Sequence, residues 1–119
     1  MKKTLVLGAS PNPERYAYAA VKQLVRYGHE VVAIGNRAGE IDGIAIAKDT
    51  PPLDDIHTVS LYLSAANQPA YYDYILGINP RRIIFNPGTE NPELSRLARE
   101  RGIETLPACT LVMLSIGNY

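Results

Sequence analysis

The sequence has no second cysteine, no long apolar run and no excess of charge of either sign. Twelve basic side chains balance twelve acidic ones over 119 residues. No overall field therefore draws the chain toward nucleic acid or an anionic membrane surface, and any anion site must be local. Nothing approaches the roughly 20 consecutive apolar residues needed to cross a bilayer. The apolar part of the N-terminal "MKKTLVLG" is too short for a signal peptide. Cys109 stands alone and has no partner for an internal disulfide. These absences point to a cytoplasmic protein with neither a membrane nor a nucleic-acid partner. Repeats, low-complexity tracts and linkers are missing too, and domains run about 100 to 200 residues, so residues 1–119 are expected to form one domain.

What is present is an ordinary globular composition, 46% apolar and 20% charged, with a regular alternation of strand and helix signals. "TLVLG" (Thr4 to Gly8) is a short apolar run closed by glycine, as expected of a strand buried on both faces. Tyr16, Ala20, Leu24 and Tyr27, with Ala17 and Val21 alongside, recur at helical spacing before Gly28. "HEVVAIG" (His29 to Gly35) repeats the strand signal and completes a βαβ unit. The spacing further predicts a short extended piece at Ile44 to Ala47, strands over Thr58 to Leu63, Arg81 to Asn86 and Ile103 to Ala108, and helices over Gln68 to Ile78, Asn91 to Arg101 and Thr110 to Ile116. Such alternation predicts an α/β sandwich with a mainly parallel sheet. Ligands of these folds bind outside the carboxyl ends of the strands, at the topological switch point. That directs attention to four loops: Gly8 to Arg15, Gly35 to Arg37, Ser64 to Gln68 and Asn86 to Asn91.

The first loop, "GASPNPER", has a glycine turn at Gly8, small residues at Ala9 and Ser10, and a helix start beyond. Unpaired N–H groups and the positive dipole end of a helix suit a pyrophosphate. Ser10 and Asn12 can add donors and Arg15 a full charge. Equally, Ser10 or Asn12 could cap the helix while Arg15 is solvated. Two further absences narrow the ligand. A G-x-G-x-x-G fingerprint would need glycine at positions 10 and 13, where Ser10 and Pro13 stand. An NAD site also wants an acid after the second strand, and "IGNR" supplies Asn36 and Arg37 after Gly35. Those residues favour a phosphate-bearing ribose, as in NADP or coenzyme A; a polar turn with an exposed arginine is the plain alternative.

The run "VLGASPNPERYAYAAVKQLVRYGHEVVAIGNR", together with "NPELSRLARERGIETLPAC", resembles the small bacterial coenzyme A-binding domain proteins of the YccU-like group, relatives of the coenzyme A-binding domain of succinyl-CoA synthetase alpha subunits. The likeness spans nearly the whole chain, and the loop Gly8, Ala9, Ser10, Asn12, Pro13, Arg15 is its most specific part. It implies a Rossmann-like three-layer sandwich that binds coenzyme A. Ser10, Asn12, Arg15 and Tyr16 would lie near the phosphates, and Asn36 and Arg37 near the ADP ribose. Pro87 and Gly88 of "FNPGTENPEL" fit the pantetheine end or a plain strand-to-helix turn, and Asn67 is a similar candidate. Many relatives read Asn-Pro where this chain has Gly35 and Asn36, and Asp-Arg where it has Pro107 and Ala108.

Catalytic and metal-binding signals are absent. His29 and His57 have no neighbour that would make a triad, Asp54, Asp55, Asp73 and Glu90 lack metal-ligand spacing, and Cys109 in "LPACTLVML" is expected to be buried and inert. Eight tyrosines are present, three of them clustered at Tyr71, Tyr72 and Tyr74; they could pack on the core, stack on adenine or form an oligomer contact, and core and surface packing is their expected role. With the apolar tail ending at Tyr119, they leave a homodimer open. The leading expectation is a coenzyme A or acyl-CoA binding protein, noncatalytic or regulatory. The rivals are a small NADP-dependent reductase or CoA-linked transferase, and an interaction module without a ligand.

Overall fold

The computed structural model describes residues 1–119. In chain order the elements are β1 (Thr4–Leu7), α1 (Tyr16–Arg26), β2 (Val31–Ile34), β3 (Gly39–Ile41), β4 (Ile44–Ala47), β5 (Thr58–Leu61), α2 (Tyr72–Ile78), β6 (Arg82–Phe85), α3 (Pro92–Glu100), β7 (Glu104–Pro107) and α4 (Thr110–Ile116). All seven strands form one sheet in the order β3-β4-β2-β1-β5-β6-β7. Every pairing is parallel except that of β3 with β4.

From β1 the chain first winds outward through β2, then returns to the other side of β1 and winds the opposite way through β5, β6 and β7. Right-handed crossovers in opposite directions put their helices on opposite faces. The two apolar clusters follow this division. Val6, Ala33 and Ile84 pack with Ala17, Val21 and Leu24 of α1 and Met113 and Leu114 of α4. Leu5, Leu7, Val59, Leu61 and Ile83 pack with Ile75 and Leu76 of α2 and Leu94 and Ala98 of α3. Alternate residues of each strand serve alternate faces, which is why "TLVL" carries no polar side chain except Thr4. The result is the three-layer Rossmann-like sandwich, with the switch point between β1 and β5.

Helix α1 spans the expected residues, but its stripe is narrower at the ends. Ala17, Ala20, Val21 and Leu24 are buried, whereas Tyr16 and Tyr27 are 77% and 54% exposed. The strand β3 has no counterpart in the sequence reading; it is a hairpin arm turned at Asp42 and Gly43, both in left-handed backbone. The expected helix over Gln68 to Ile78 is broken. Two 3₁₀ turns, Ala65–Asn67 and Pro69–Tyr71, precede an α2 that starts only at Tyr72. Pro69 lacks the N–H that a continuous helix would need, and Gln68 points into the core instead of along a helix face. Helix α3 starts as expected: Asn91 caps it by accepting from Leu94 N at 3.1 Å, with Pro92 at the first helical position.

At the amino ends of the strands, Thr4, Thr58 and Arg82 lie side by side. Tyr119 closes over this row. Its hydroxyl shares a hydrogen with Thr4 Oγ1 at 2.6 Å, its carbonyl accepts from Arg82 Nη2 at 2.9 Å, and the guanidinium lies 4.5 Å from its ring. Arg82 Nε also donates to Thr58 Oγ1 at 2.7 Å, so the buried cation is held by three contacts. Tyr119 is therefore buried against its own chain rather than offered to a partner. β7 is an edge strand. Glu104 N donates to Arg81 O just before β6 and Ala108 N to Phe85 O at its end, so by alternation the nitrogen of Pro107 faces outward, where its missing N–H blunts the edge.

Candidate functional site

The carboxyl ends of β2, β1, β5 and β6 stand in a row, and the loops leaving them enclose a cleft of about 880 Å³. That volume is in the range of small-molecule sites. Each of Gly8, Ala9, Ser10, Asn12, Arg15, Tyr16, Gly35, Asn36, Arg37, Asn67, Pro87 and Gly88 lines it. The residues singled out in four separate loops thus meet around one space.

Backbone packing brings the first two loops together. The N–H groups of Gly8 and Ala9 both donate to Ile34 O, at 2.8 and 2.9 Å. A Cβ on Gly35 would stand 2.0 Å from Ala9 O, and one on Gly39 would stand 2.6 Å from Pro11 Cβ. Both glycines are there to let the first loop rest on the second. Gly8 has φ +99° and would place a Cβ 2.8 Å from the Tyr62 backbone, a conformation and a contact that only glycine accommodates. Gly8, Ala9 and Gly35 therefore shape the cleft rather than donate to a ligand.

Ser10 and Asn12 act inside the loop as acceptors. Ser10 Oγ accepts from Asn12 N at 3.1 Å, and Asn12 Oδ1 from Glu14 N at 3.0 Å. Their own hydrogens, the hydroxyl of Ser10 and the Nδ2 hydrogens of Asn12, have no partner in the chain and remain free to donate. Neither residue caps α1. The N-cap is Arg15, with no side-chain bond, and the N–H groups of Tyr16 and Ala17 are unpaired. An 11-residue helix thus presents its positive end to the cleft. Arg15 and Arg37 are exposed and make no ion pair. They are the only charged residues lining the cleft, and no Asp, Glu, His, Lys or Cys does so.

The other wall is built from Tyr62, Leu63, Ser64, Ala70, Tyr71 and Thr89; Ser64 and Thr89 belong to loops that the sequence already marked, whereas Tyr62, Leu63 and Ala70 were not marked. Tyr62 and Leu63 directly follow β5, so the rule that ligands sit beyond strand ends was the available signal. Gly88 N donates to Glu90 Oε1 at 2.9 Å, so this loop's first free amide already faces a carboxylate. Asn67 is exposed and donates to Ser64 Oγ at 3.1 Å. The hydroxyl of Tyr62 is buried beside the Ser60 and Thr110 side chains without a hydrogen bond of good geometry to either, and burial pushes its pKa upward. The adjacent polar groups are bonded to each other: Ser60 Oγ pairs with Thr110 Oγ1 at 2.8 Å, and Asn86 binds both Ser60 Oγ and Thr110 N.

The remaining candidates lie elsewhere. His29 and His57 sit at the amino edge, opposite the cleft. Burial and then nearby positive charge hold both pKa values below the ordinary imidazole range. Cys109 is half-buried at the N-cap of α4, not fully buried as expected: α4 begins there and lifts the chain off the sheet. The tyrosine cluster divides its roles. Tyr74 donates to Pro51 O at 2.6 Å and Tyr72 to Glu93 at 3.0 Å, while Tyr71 faces the cleft. No group of three or more His, Cys, Asp or Glu side chains is placed to hold a metal ion. No helix is long and apolar enough to cross a membrane.

Comparison with known proteins agrees with this architecture. The crystal structure of an uncharacterized protein superposes with a TM-score of 0.98 at 49% identity, covering 100% of this chain and 98% of the other. A hypothetical protein from Pyrococcus horikoshii OT3 matches at 0.87 and 26% identity, over 97% of this chain and 82% of that one. A conserved hypothetical protein from Pyrococcus furiosus shares the fold at 0.81 and 23% identity, over 94% and 98%. Among curated proteins none matches. Residues 2–115 match the model of the CoA binding domain, and the chain belongs to that family.

Proposed function

We propose that the cleft binds coenzyme A or an acyl-CoA, in a noncatalytic or regulatory role and as one cytoplasmic domain. The observation that carries this reading is the charge of the lining: two unpaired arginines beside an uncapped helix end, with no carboxylate among them. The N–H groups of Tyr16 and Ala17, with Arg15 and the free hydrogens of Ser10 and Asn12, suit the pyrophosphate. Asn36 and Arg37, beyond β2, suit the ribose 3′-phosphate. The pantetheine arm would then cross the ends of β1 and β5 toward Pro87 and Gly88. The lining offers no histidine, cysteine or carboxylate for proton transfer or nucleophilic attack, which favours binding over turnover.

Calorimetry with coenzyme A, dephospho-CoA, NADP and NAD tests it. Coenzyme A is expected to bind best. A charge-assisted bond to the 3′-phosphate contributes about 1.5 to 3 kcal/mol, so dephospho-CoA should bind at least about tenfold more weakly. Absence of coenzyme A binding would sink the reading. Tighter binding of NADP would move it to the reductase class.

A further inference from the structure

The parallel ladder joining β5 to β6 ends at the pair Leu61 and Phe85. Beyond it the two chains diverge into separate loops, and both return to wall the cleft, one at Leu63 and the other at Thr89. A single side chain behind the wall ties them. Gln68 is fully buried, and its Nε2 donates to Leu63 O at 2.9 Å and to Thr89 O at 2.7 Å. Both partners are carbonyl oxygens, so the amide can face only this way. Its Oε1 accepts from Asn91 Nδ2 at 2.9 Å. Asn91 is fixed in turn, since its Oδ1 caps α3 and its Nδ2 also donates to Tyr72 Oη at 2.8 Å. Thr89 Oγ1 donates to Asn86 O at 2.7 Å, which fastens the second loop to its own strand. A buried polar network with its members paired is rigid, and a break in it leaves several groups unsatisfied.

The opposite half of the cleft is braced by other means, through Ile34 O and the close contacts at Gly35 and Gly39. The two halves therefore have separate supports. We propose that Gln68 is a positioning residue that bolts Leu63 to Thr89, so that the half of the cleft away from Arg37 is formed before a ligand arrives. The ligand class that uses both halves is a nucleotide 3′-phosphate carrying a long arm, whose arm lies on the Gln68-braced wall. This rests on the coenzyme A reading above. Gln68 itself touches no ligand. Its effect reaches the ligand through the positions of Leu63 and Thr89.

The test separates the halves. Wild type, Gln68→Met and Gln68→Glu, both close in size to glutamine and unable to make the two donations, are titrated with coenzyme A and with 3′-phospho-ADP, its nucleotide without the arm. Wild type is expected to bind coenzyme A more tightly than 3′-phospho-ADP. Both variants should lose at least tenfold for coenzyme A and less than twofold for 3′-phospho-ADP. An equal loss for both ligands, or no loss, overturns the positioning role. Equal wild-type affinity for the two ligands also overturns it, because the arm would then gain nothing from that wall. Wild type binding neither ligand overturns the coenzyme A reading itself. If the Gln68 variants fail to fold, Tyr72→Phe replaces them. It removes a partly exposed acceptor of Asn91 without emptying the core, and should weaken coenzyme A alone by two- to threefold; an unchanged ratio of the two affinities refutes the proposal.

Discussion

Gly35→Ala is the sharpest perturbation of the way the first loop is held. Gly35 is buried and its φ is not in the left-handed region, so alanine costs nothing in backbone conformation there. The cost is contact alone. The new Cβ would lie 2.0 Å from Ala9 O, 3.0 Å from Ala9 C and 3.3 Å from Ile46 Cγ2. Nonbonded carbon is comfortable at about 3.5 Å, so the Ala9 carbonyl has to retreat by more than about 1 Å. The N–H groups of Gly8 and Ala9 donate to Ile34 O, immediately before the mutated residue, and such a retreat breaks both bonds. Two hydrogen bonds at about 1 kcal/mol each, with an overpacking cost of about 1 to 3 kcal/mol, give a loss of about 3 to 5 kcal/mol. Domains are stable by only about 5 to 15 kcal/mol, and the midpoint of thermal unfolding should fall by roughly 10 to 20 °C. Gly77→Ala supplies the contrast. That glycine is exposed in α2, and a Cβ there meets nothing within 4 Å, so the change should stabilise by about 0.5 to 1 kcal/mol. Urea denaturation of both variants decides the matter. If Gly35→Ala lies within about 0.5 kcal/mol of wild type, the first loop is not held as argued.

Tyr62→Phe removes a buried hydroxyl that makes no hydrogen bond of good geometry. It should leave the fold as stable or raise it by about 1 kcal/mol, and a clear drop in the urea midpoint would show that the hydroxyl is paired. Arg37→Ala should weaken coenzyme A by roughly tenfold and leave dephospho-CoA little changed; equal weakening of the two ligands in calorimetry would detach Arg37 from the 3′-phosphate. The depressed pKa values of His29 and His57 mean that the unfolded chain takes up protons first on acidification. Stability is therefore complete above the ordinary imidazole pKa of about 6.5 and falls as pH drops through the window between that value and the lower folded ones. Urea midpoints from pH 7.5 to 5 should follow this course for wild type and flatten in the His29→Gln, His57→Gln double variant; identical slopes would refute it.

The parts of the fold visible in the sequence were those fixed by short-range chemistry. Glycine stops after apolar runs marked β1 and β2, and Asn91 followed by Pro92 marked the start of α3, because turns and caps are local events. The hairpin arm β3 was not visible: "GEI" is too short for a period, and its pairing depends on β4 folding back onto it. The break before α2 was hidden for the opposite reason. Apolar and tyrosine residues at helical spacing continue through Gln68 to Ile78, and only the burial of Gln68 between two loops reveals that its amide serves tertiary contacts. Tyr119 looks in the sequence like the end of an apolar tail open to a partner, because the groups that hold it, Thr4 and Arg82, are remote in sequence. The cleft lining was legible where loops carried special residues, as at Gly8 to Arg15, and illegible where plain strand ends supply the wall, as at Tyr62 and Leu63.

Pro11 takes on a purpose once Gly39 is placed. In a dinucleotide loop, glycines let the backbone approach phosphate, at the cost of flexibility before the ligand binds. Here Pro11 is pressed onto Gly39 at the start of β3, and the loop is also tied to Ile34 O. The loop is seated on glycines that belong to its neighbour. On the coenzyme A reading, a loop already held in place would lose less freedom on binding, so more of each phosphate contact would appear as affinity. Lys3 pairs with Glu30, Lys22 with Asp42 and Arg96 with Glu100, all away from the cleft, while Arg15 and Arg37 stay unpaired beside it. A chain with no net charge can therefore present a positive cleft. The balance of twelve against twelve excluded a global field and left room for this local one.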